Sequence, residues 1–145
     1  MNKGRVTVEE ELSYIGQQLN VAELAWAAGF FDGEGHVSGR IDRRRRSVGR
    51  KPLCDRYLYV QIGQAGSAEE LERFLHAVGM NGKKVMGPYG PYGRSKKQVY
   101  RIDFLGRRAE RVMELIEPFL CSRKRADYPA AQRDVLEARR RAKER

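Results

Sequence analysis

Cysteine and histidine are scarce in this chain, and each scarcity argues against a class of chemistry. Cys54 and Cys121 are the only cysteines and form no CxxC spacing, while His36 and His76 stand far apart with no cysteine beside them. That pattern supports neither a structural zinc site nor a disulfide framework. No apolar run approaches the ~20 residues that span a bilayer, so a membrane is not expected as a partner. The opening MNKGRVTVEEEL has neither a secretion signal's apolar core nor a transit peptide's Arg-rich, acid-poor character. The chain reads as soluble and intracellular. Acid is in deficit too: 19 Asp and Glu face 29 Lys and Arg, a formal net charge of +10. That surplus favours a polyanionic partner, of which nucleic acid is the commonest. The remainder is ordinary: 145 residues with 41% hydrophobic content suit one domain with a proper core.

Hydrophobic spacing predicts the elements. Val8, Leu12, Ile15 and Leu19 suggest a short first helix. Asn20 is placed to cap the next, with Glu23 completing an Asn form of the capping box. That helix covers 21–33 and is closed by Gly33 and Gly35. Residues 36–43 and 56–64 alternate as strands around a basic hairpin or loop at 43–51. In the second strand Leu58, Val60 and Ile62 share one face, and Tyr57, Tyr59 and Gln61 the other. Ser67 with Glu70 predicts a capping box for a helix to about Val78; a short strand follows at 83–87, then a loop rich in Gly, Pro and Tyr to Lys97. Residues 98–104 form a strand, 107–120 a helix, and Pro129 starts a C-terminal helix whose tail from Glu137 is almost all charge and reads as solvated. The expected fold class is α/β (α+β), a single domain with its core at about 20–128. Its four-stranded antiparallel sheet carries helices on one face and leaves the other open.

The helix at 21–33 is apolar nearly all round, so it has to be buried on two sides. Trp26 and Phe30 form a bulky stripe suited to the chain's own sheet. Ala25, Gly29 and Gly33, beside Ala28, form a small stripe that lets a second backbone come close, most simply the same helix of another copy. Residues 27–35 read Ala-Ala-Gly-Phe-Phe-Asp-Gly-Glu-Gly. This resembles the LAGLIDADG motif of homing endonucleases, with Glu34 in place of the more frequent final Asp. One motif copy implies the family's homodimeric type, with Ala25, Ala28, Gly29, Asp32 and Gly33 at the interface. The resemblance further implies an αββαββα order and Mg²⁺, with Mn²⁺ as a substitute, held by Glu34 and the backbone carbonyl of Gly33. Asp32 is expected to hold the helix end or the partner's backbone. Gln64, closing a strand that reads Val60-Gln61-Ile62-Gly63-Gln64, resembles the glutamine that orients water near the metal. The run Pro118-Phe119-Leu120-Cys121-Ser122-Arg123-Lys124 resembles one in the family that ends on a basic catalytic residue. Arg123 stands at the matching place and Lys124 beside it, and the sequence leaves open which acts.

An antiparallel ribbon fits the major groove of DNA. His36, Ser38, Arg40 and Asp42 share one face of the first strand; Tyr57, Tyr59 and Gln61 fall on one face of the second, and Arg101 and Asp103 on one face of the fourth. Arg40 suits guanine and Gln61 adenine. Arg43, Arg44, Arg45 and Arg46, with Arg50, Lys51 and Arg56, suit phosphates. By resemblance, the chain is expected to cut both strands of a long, nearly palindromic duplex site, leaving short 3′ overhangs. It would be intron-encoded or otherwise mobile, working in a prokaryote, a phage-infected cell or an organelle. The alternatives are an RNA-splicing maturase, for which RNA would be the partner, and a DNA-binding regulator that no longer cuts.

Overall fold

The computed structural model describes residues 19–44 and 53–144, and of residues 41–44, 53–56 and 142 the backbone alone. All but Leu19 of the helix expected at 8–19, and the hairpin tip with Arg45 and Arg46, lie outside the described residues. The described elements are α1 (Val21–Glu34), β1 (Gly35–Arg44), β2 (Leu53–Ala65), α2 (Glu69–Ala77), β3 (Met86–Tyr89), β4 (Val99–Leu105), α3 (Arg107–Ile116), a 3-10 turn (Glu117–Phe119) and α4 (Ser122–Lys143). The strands form one antiparallel sheet in the order β1-β2-β4-β3. Up to α3 the order is the expected αββαββα. Among the described residues no helix is long and apolar enough to cross a membrane.

Period-2 alternation decides which face of the sheet is dry. Val37, Leu58, Val60, Ile62, Ile102 and Phe104 are buried on one side, with the helices against them. The pairings Val37↔Val60, Ile62↔Ile102 and Val60↔Phe104 keep that inner face continuous across three strands. Asn20 caps α1 as expected, its side-chain oxygen accepting from the Ala22 and Glu23 amides at 2.9 and 3.4 Å. Glu23 does not complete a capping box. It forms a two-pronged ion pair with Arg73 of α2, at 2.9 and 3.1 Å, and its carboxyl is held below its usual pKa by that hydrogen bond. Ser67 Oγ accepts from the Glu69 amide, but Glu70 does not return the favour. Its Oε2 is buried with no hydrogen-bond partner among the described residues.

Several expectations need correcting. Trp26 and Phe30 do not face the sheet. Their rings stack 5.3 Å apart against α2, with Arg73 over Trp26 at 3.9 Å and Phe74 beyond Phe30. Phe31, fully buried, is the α1 aromatic in the central core with Ala27 and Ala28. On a helix apolar all round, spacing alone does not say which stripe meets which neighbour. Strand β3 runs Met86–Tyr89, so it shares only Met86 and Gly87 with the strand expected at 83–87 and continues into the expected loop, because pairing with β4 (Met86↔Arg101, Tyr89↔Val99) overrides a weak local signal. Helix α4 starts at Ser122 and carries Pro129 inside it. Proline there removes one backbone hydrogen bond, yet Tyr128, Ala131, Val135 and Ala138 are buried along one side of the helix. Gly39 lets α4 come close: a Cβ there would sit 3.2 Å from Val135 Cγ2. The charged tail is therefore part of a packed helix as far as Ala138.

Candidate active site and nucleic-acid interface

Helix α1 ends at Glu34 and strand β1 begins at Gly35, with no residue between them. The junction is tight for a steric reason. Gly35 has ordinary extended angles (φ −89°, ψ 157°), but a Cβ there would penetrate the buried Phe31 ring. Glu34 and Gly33 are exposed at this end. Two links fasten the junction to α4. Asp32 accepts the Cys121 backbone N–H through both oxygens, at 3.2 and 3.1 Å. The Lys124 ammonium donates to the Gly35 carbonyl and lies 5.6 Å from the Phe31 ring centroid. Lys124 is thus the basic residue brought to the helix end, while Arg123 is exposed beside it. Asp32 holds its own chain's backbone.

Of the five expected interface residues, Ala28 is wholly buried in its own core, so it is not free to meet a partner. It lies one helical step from the small stripe and faces inward with Phe31 and Leu24. Ala25, Gly29 and Gly33 are exposed in a line led by Val21, 64% exposed. A Cβ built on Gly29 or Gly33 meets nothing within 4 Å. Gln64 lies near the end of β2, opposite Tyr100, two residues beyond the Gly35↔Ile62 pair. It therefore stands at the Glu34 end of the sheet, lining a cleft of about 710 Å³ with Ser67, Glu70, Lys96 and Lys97. Among the described residues no three His, Cys, Asp or Glu side chains converge. One chain alone offers the Glu34 carboxylate and the unpaired carbonyls of a helix end. That donor set is hard and incomplete, and suits an ion that takes one or two carboxylates and fills its shell with water and phosphate oxygen, as Mg²⁺ does.

The outer face of the sheet carries the expected polar set. The register makes rows of Arg40–Tyr57, Ser38–Tyr59–Leu105 and His36–Gln61–Asp103, followed by Gly63–Arg101. Asp42 and Arg44 continue on outer-face positions. Arg43 and Arg56 fall on inner-face positions, opposite Cys54 and Ile41, so they do not share the outer face with the rest. Tyr59 departs from expectation: it is only 6% exposed, with the Arg40 guanidinium 4.3 Å above its ring. Burial pushes its phenol pKa up, and so do the charge of Asp103 and the hydrogen bond to it; Arg40 and Arg101 pull the other way. Arg101 Nε lies 3.2 Å from Asp103 Oδ1 and its guanidinium 5.6 Å from the Tyr89 ring. Sequence reasoning missed Leu105, half exposed on this face. The alternation of 101, 103 and 105 would have found it.

No family model matches the chain, and no curated protein does. Solved structures do match. One is the homing endonuclease I-CvuI, crystallised with the I-CreI target in 2 mM Mg with the DNA not cleaved. It aligns at TM-score 0.52 and 17% identity, over 78% of this chain and 68% of that one. The chain has the LAGLIDADG homing-endonuclease fold. The group I intron-encoded homing endonuclease I-CeuI, solved with DNA, is a looser likeness at TM-score 0.44 and 12% identity, over 84% of this chain and 69% of that one. Within this fold, Glu34 and strand β1 meet at a single peptide bond.

Proposed function

We propose that the chain is a homodimeric, Mg²⁺-dependent endonuclease that cuts double-stranded DNA at a long, near-palindromic site. The observation that carries this reading is the direct junction of an exposed carboxylate, Glu34, with a ribbon whose outer face is polar. The open stripe of Ala25, Gly29 and Gly33 supports a two-fold contact between α1 helices. Such a contact brings the two Glu34 side chains together near the dyad. Glu34 and the Gly33 carbonyl would hold the ion, for which Mn²⁺ could substitute. When bound, Mg²⁺ supplies Lewis-acid stabilisation of the leaving 3′ oxygen and a more acidic water.

The protein's own residues do the positioning. Each ribbon reads one half of the duplex, with Arg40 and Gln61 at base edges and His36, Ser38 and Tyr57 beside them. Arg44, Arg45 and Arg46 hold phosphates. Gln64, at the same end of the sheet as Glu34, orients the attacking water. Lys124 sets its positive charge where the scissile phosphate gains negative charge. Arg123, exposed next to it, meets the neighbouring backbone.

Glu34→Gln tests the proposal. Cleavage in Mg²⁺ is abolished, while binding of the selected duplex stays within about tenfold, or roughly 1.4 kcal/mol. Full cleavage by this variant removes Glu34 from the reaction. Specific duplex binding without cutting by the unaltered chain, in Mg²⁺ or Mn²⁺, leaves a DNA-binding regulator. Tight binding of a structured RNA in preference to duplex leaves a splicing cofactor.

A further inference from the structure

We propose that Arg101 reads a guanine and that Asp103 touches no base, acting instead as the residue that positions Arg101. The inference rests on the duplex-DNA reading and adds a specificity determinant to it. The side chain of Asp103 is 19% exposed and that of Arg101 is 39% exposed, so the carboxylate is largely covered while the guanidinium reaches outward. Two neighbours occupy the carboxylate: it accepts from the Tyr59 hydroxyl and sits 3.2 Å from Arg101 Nε. Nε is the guanidinium nitrogen nearest the stem. An acid held there leaves the two terminal nitrogens free, and those match O6 and N7 of guanine as a fork. The Tyr89 ring of β3 lies 5.6 Å from the same guanidinium. Acid and ring both neighbour the arginine, and a side chain held in this way loses less rotamer freedom on binding.

The pair is a poor stability device, which strengthens the case. Arg101 Nε and Asp103 Oδ1 are both buried, and their mutual alignment falls short of a hydrogen bond. A buried ion pair of this quality gains little over two apolar side chains. Tyr59 fixes Asp103 from below, and Arg40 covers Tyr59. A carboxylate so engaged is badly placed to accept from the exocyclic amine of cytosine, the direct contact open to an acid.

The test is a selection from randomised duplexes with the full chain in Ca²⁺, repeated with Arg101→Ala, Asp103→Ala, Asp103→Asn, Tyr59→Phe and the double variant of 101 and 103. The unaltered chain should return a mirrored consensus with one guanine position favoured by roughly tenfold to a hundredfold. Arg101→Ala and Asp103→Ala should each reduce that same preference to below about threefold, and the double variant no further. Asp103→Asn, which keeps the shape but removes the charge facing Nε, should lose part of it. Tyr59→Phe should lose part of it, and covers the case in which Asp103→Ala fails to fold. The inference is overturned if Asp103→Ala relaxes a position that Arg101→Ala leaves intact, or if the two losses add. A consensus untouched by Arg101→Ala sinks this inference alone; no consensus with the unaltered chain sinks the duplex-DNA reading with it.

Discussion

Replacing Gly29 by alanine changes stability in opposite directions depending on whether a second copy is present. Gly29 sits in the interior of α1 with ordinary helical angles, and a Cβ there meets nothing within 4 Å. In a lone chain the substitution carries no steric cost and gains helix propensity, about 0.8–1 kcal/mol. For a domain of this size that corresponds to a rise in Tm of about 3–6 °C. If two α1 helices cross on this stripe, each added methyl intrudes on the other backbone, and overpacking of this kind costs about 1–3 kcal/mol. Symmetry applies the cost twice. Gly29→Ala should therefore be more stable than the unaltered chain when dilute and should dissociate more readily when concentrated; Gly29→Leu should be monomeric. Urea unfolding across a hundredfold range of protein concentration, with sedimentation velocity on the same samples, reads both effects. A gain in stability at every concentration with an unchanged dimer would refute the interface. A loss under monomeric conditions would refute the open stripe itself.

Gly35→Ala should cost about 1–3 kcal/mol or more in urea unfolding, because its Cβ collides with the fully buried Phe31 ring. Phe31→Leu in the same chain should recover part of that loss. Lys124→Met should slow single-turnover cleavage by about a hundredfold, whereas Arg123→Met should change it by less than about threefold; equal effects would remove the distinction drawn from the Gly35 contact. The Tyr128 phenol, 3% exposed, is pushed up to about 12 by burial and then by Glu114, Glu110 and Glu117. The unfolded phenol ionises near 10, so the unfolded state loses its proton first. The contribution is whole below about pH 10 and falls as pH rises toward 12. Tyr128→Phe should flatten the alkaline limb of the stability curve.

The outer face of the sheet was legible because a period of two leaves few choices. Once Val60 and Ile62 are inside, Tyr59 and Gln61 must be outside, and the registers across β2 and β4 keep that rule. Burial did not follow from face. Tyr59 is outward and yet covered, because Arg40 and Asp103 arrive from other strands that sequence spacing cannot bring together. The contact that Lys124 makes was hidden for the same reason: the Gly35 carbonyl lies 89 residues away in sequence. The start of α4 was misplaced because Pro129 is an excellent helix starter, and only packing on the sheet makes its interior position tolerable. Of the small stripe on α1, Ala25, Gly29 and Gly33 are exposed, while Ala28 is buried, and a helical wheel of uniformly apolar residues cannot assign it to either side.

Because the last helical residue is Glu34 and the first strand residue is Gly35, no loop absorbs motion between them. A strand that settles imperfectly into a groove drags the carboxylate with it, and misplacement by about 1 Å at a reacting centre can cost a hundredfold in rate. The links from Asp32 and Lys124 to α4 tighten that transmission. Such an enzyme would check a target twice with one set of contacts: a near-cognate site that still binds presents its phosphate to a carboxylate already out of place. Fidelity would then be written into the cutting rate as well as the dissociation constant, with no separate proofreading part.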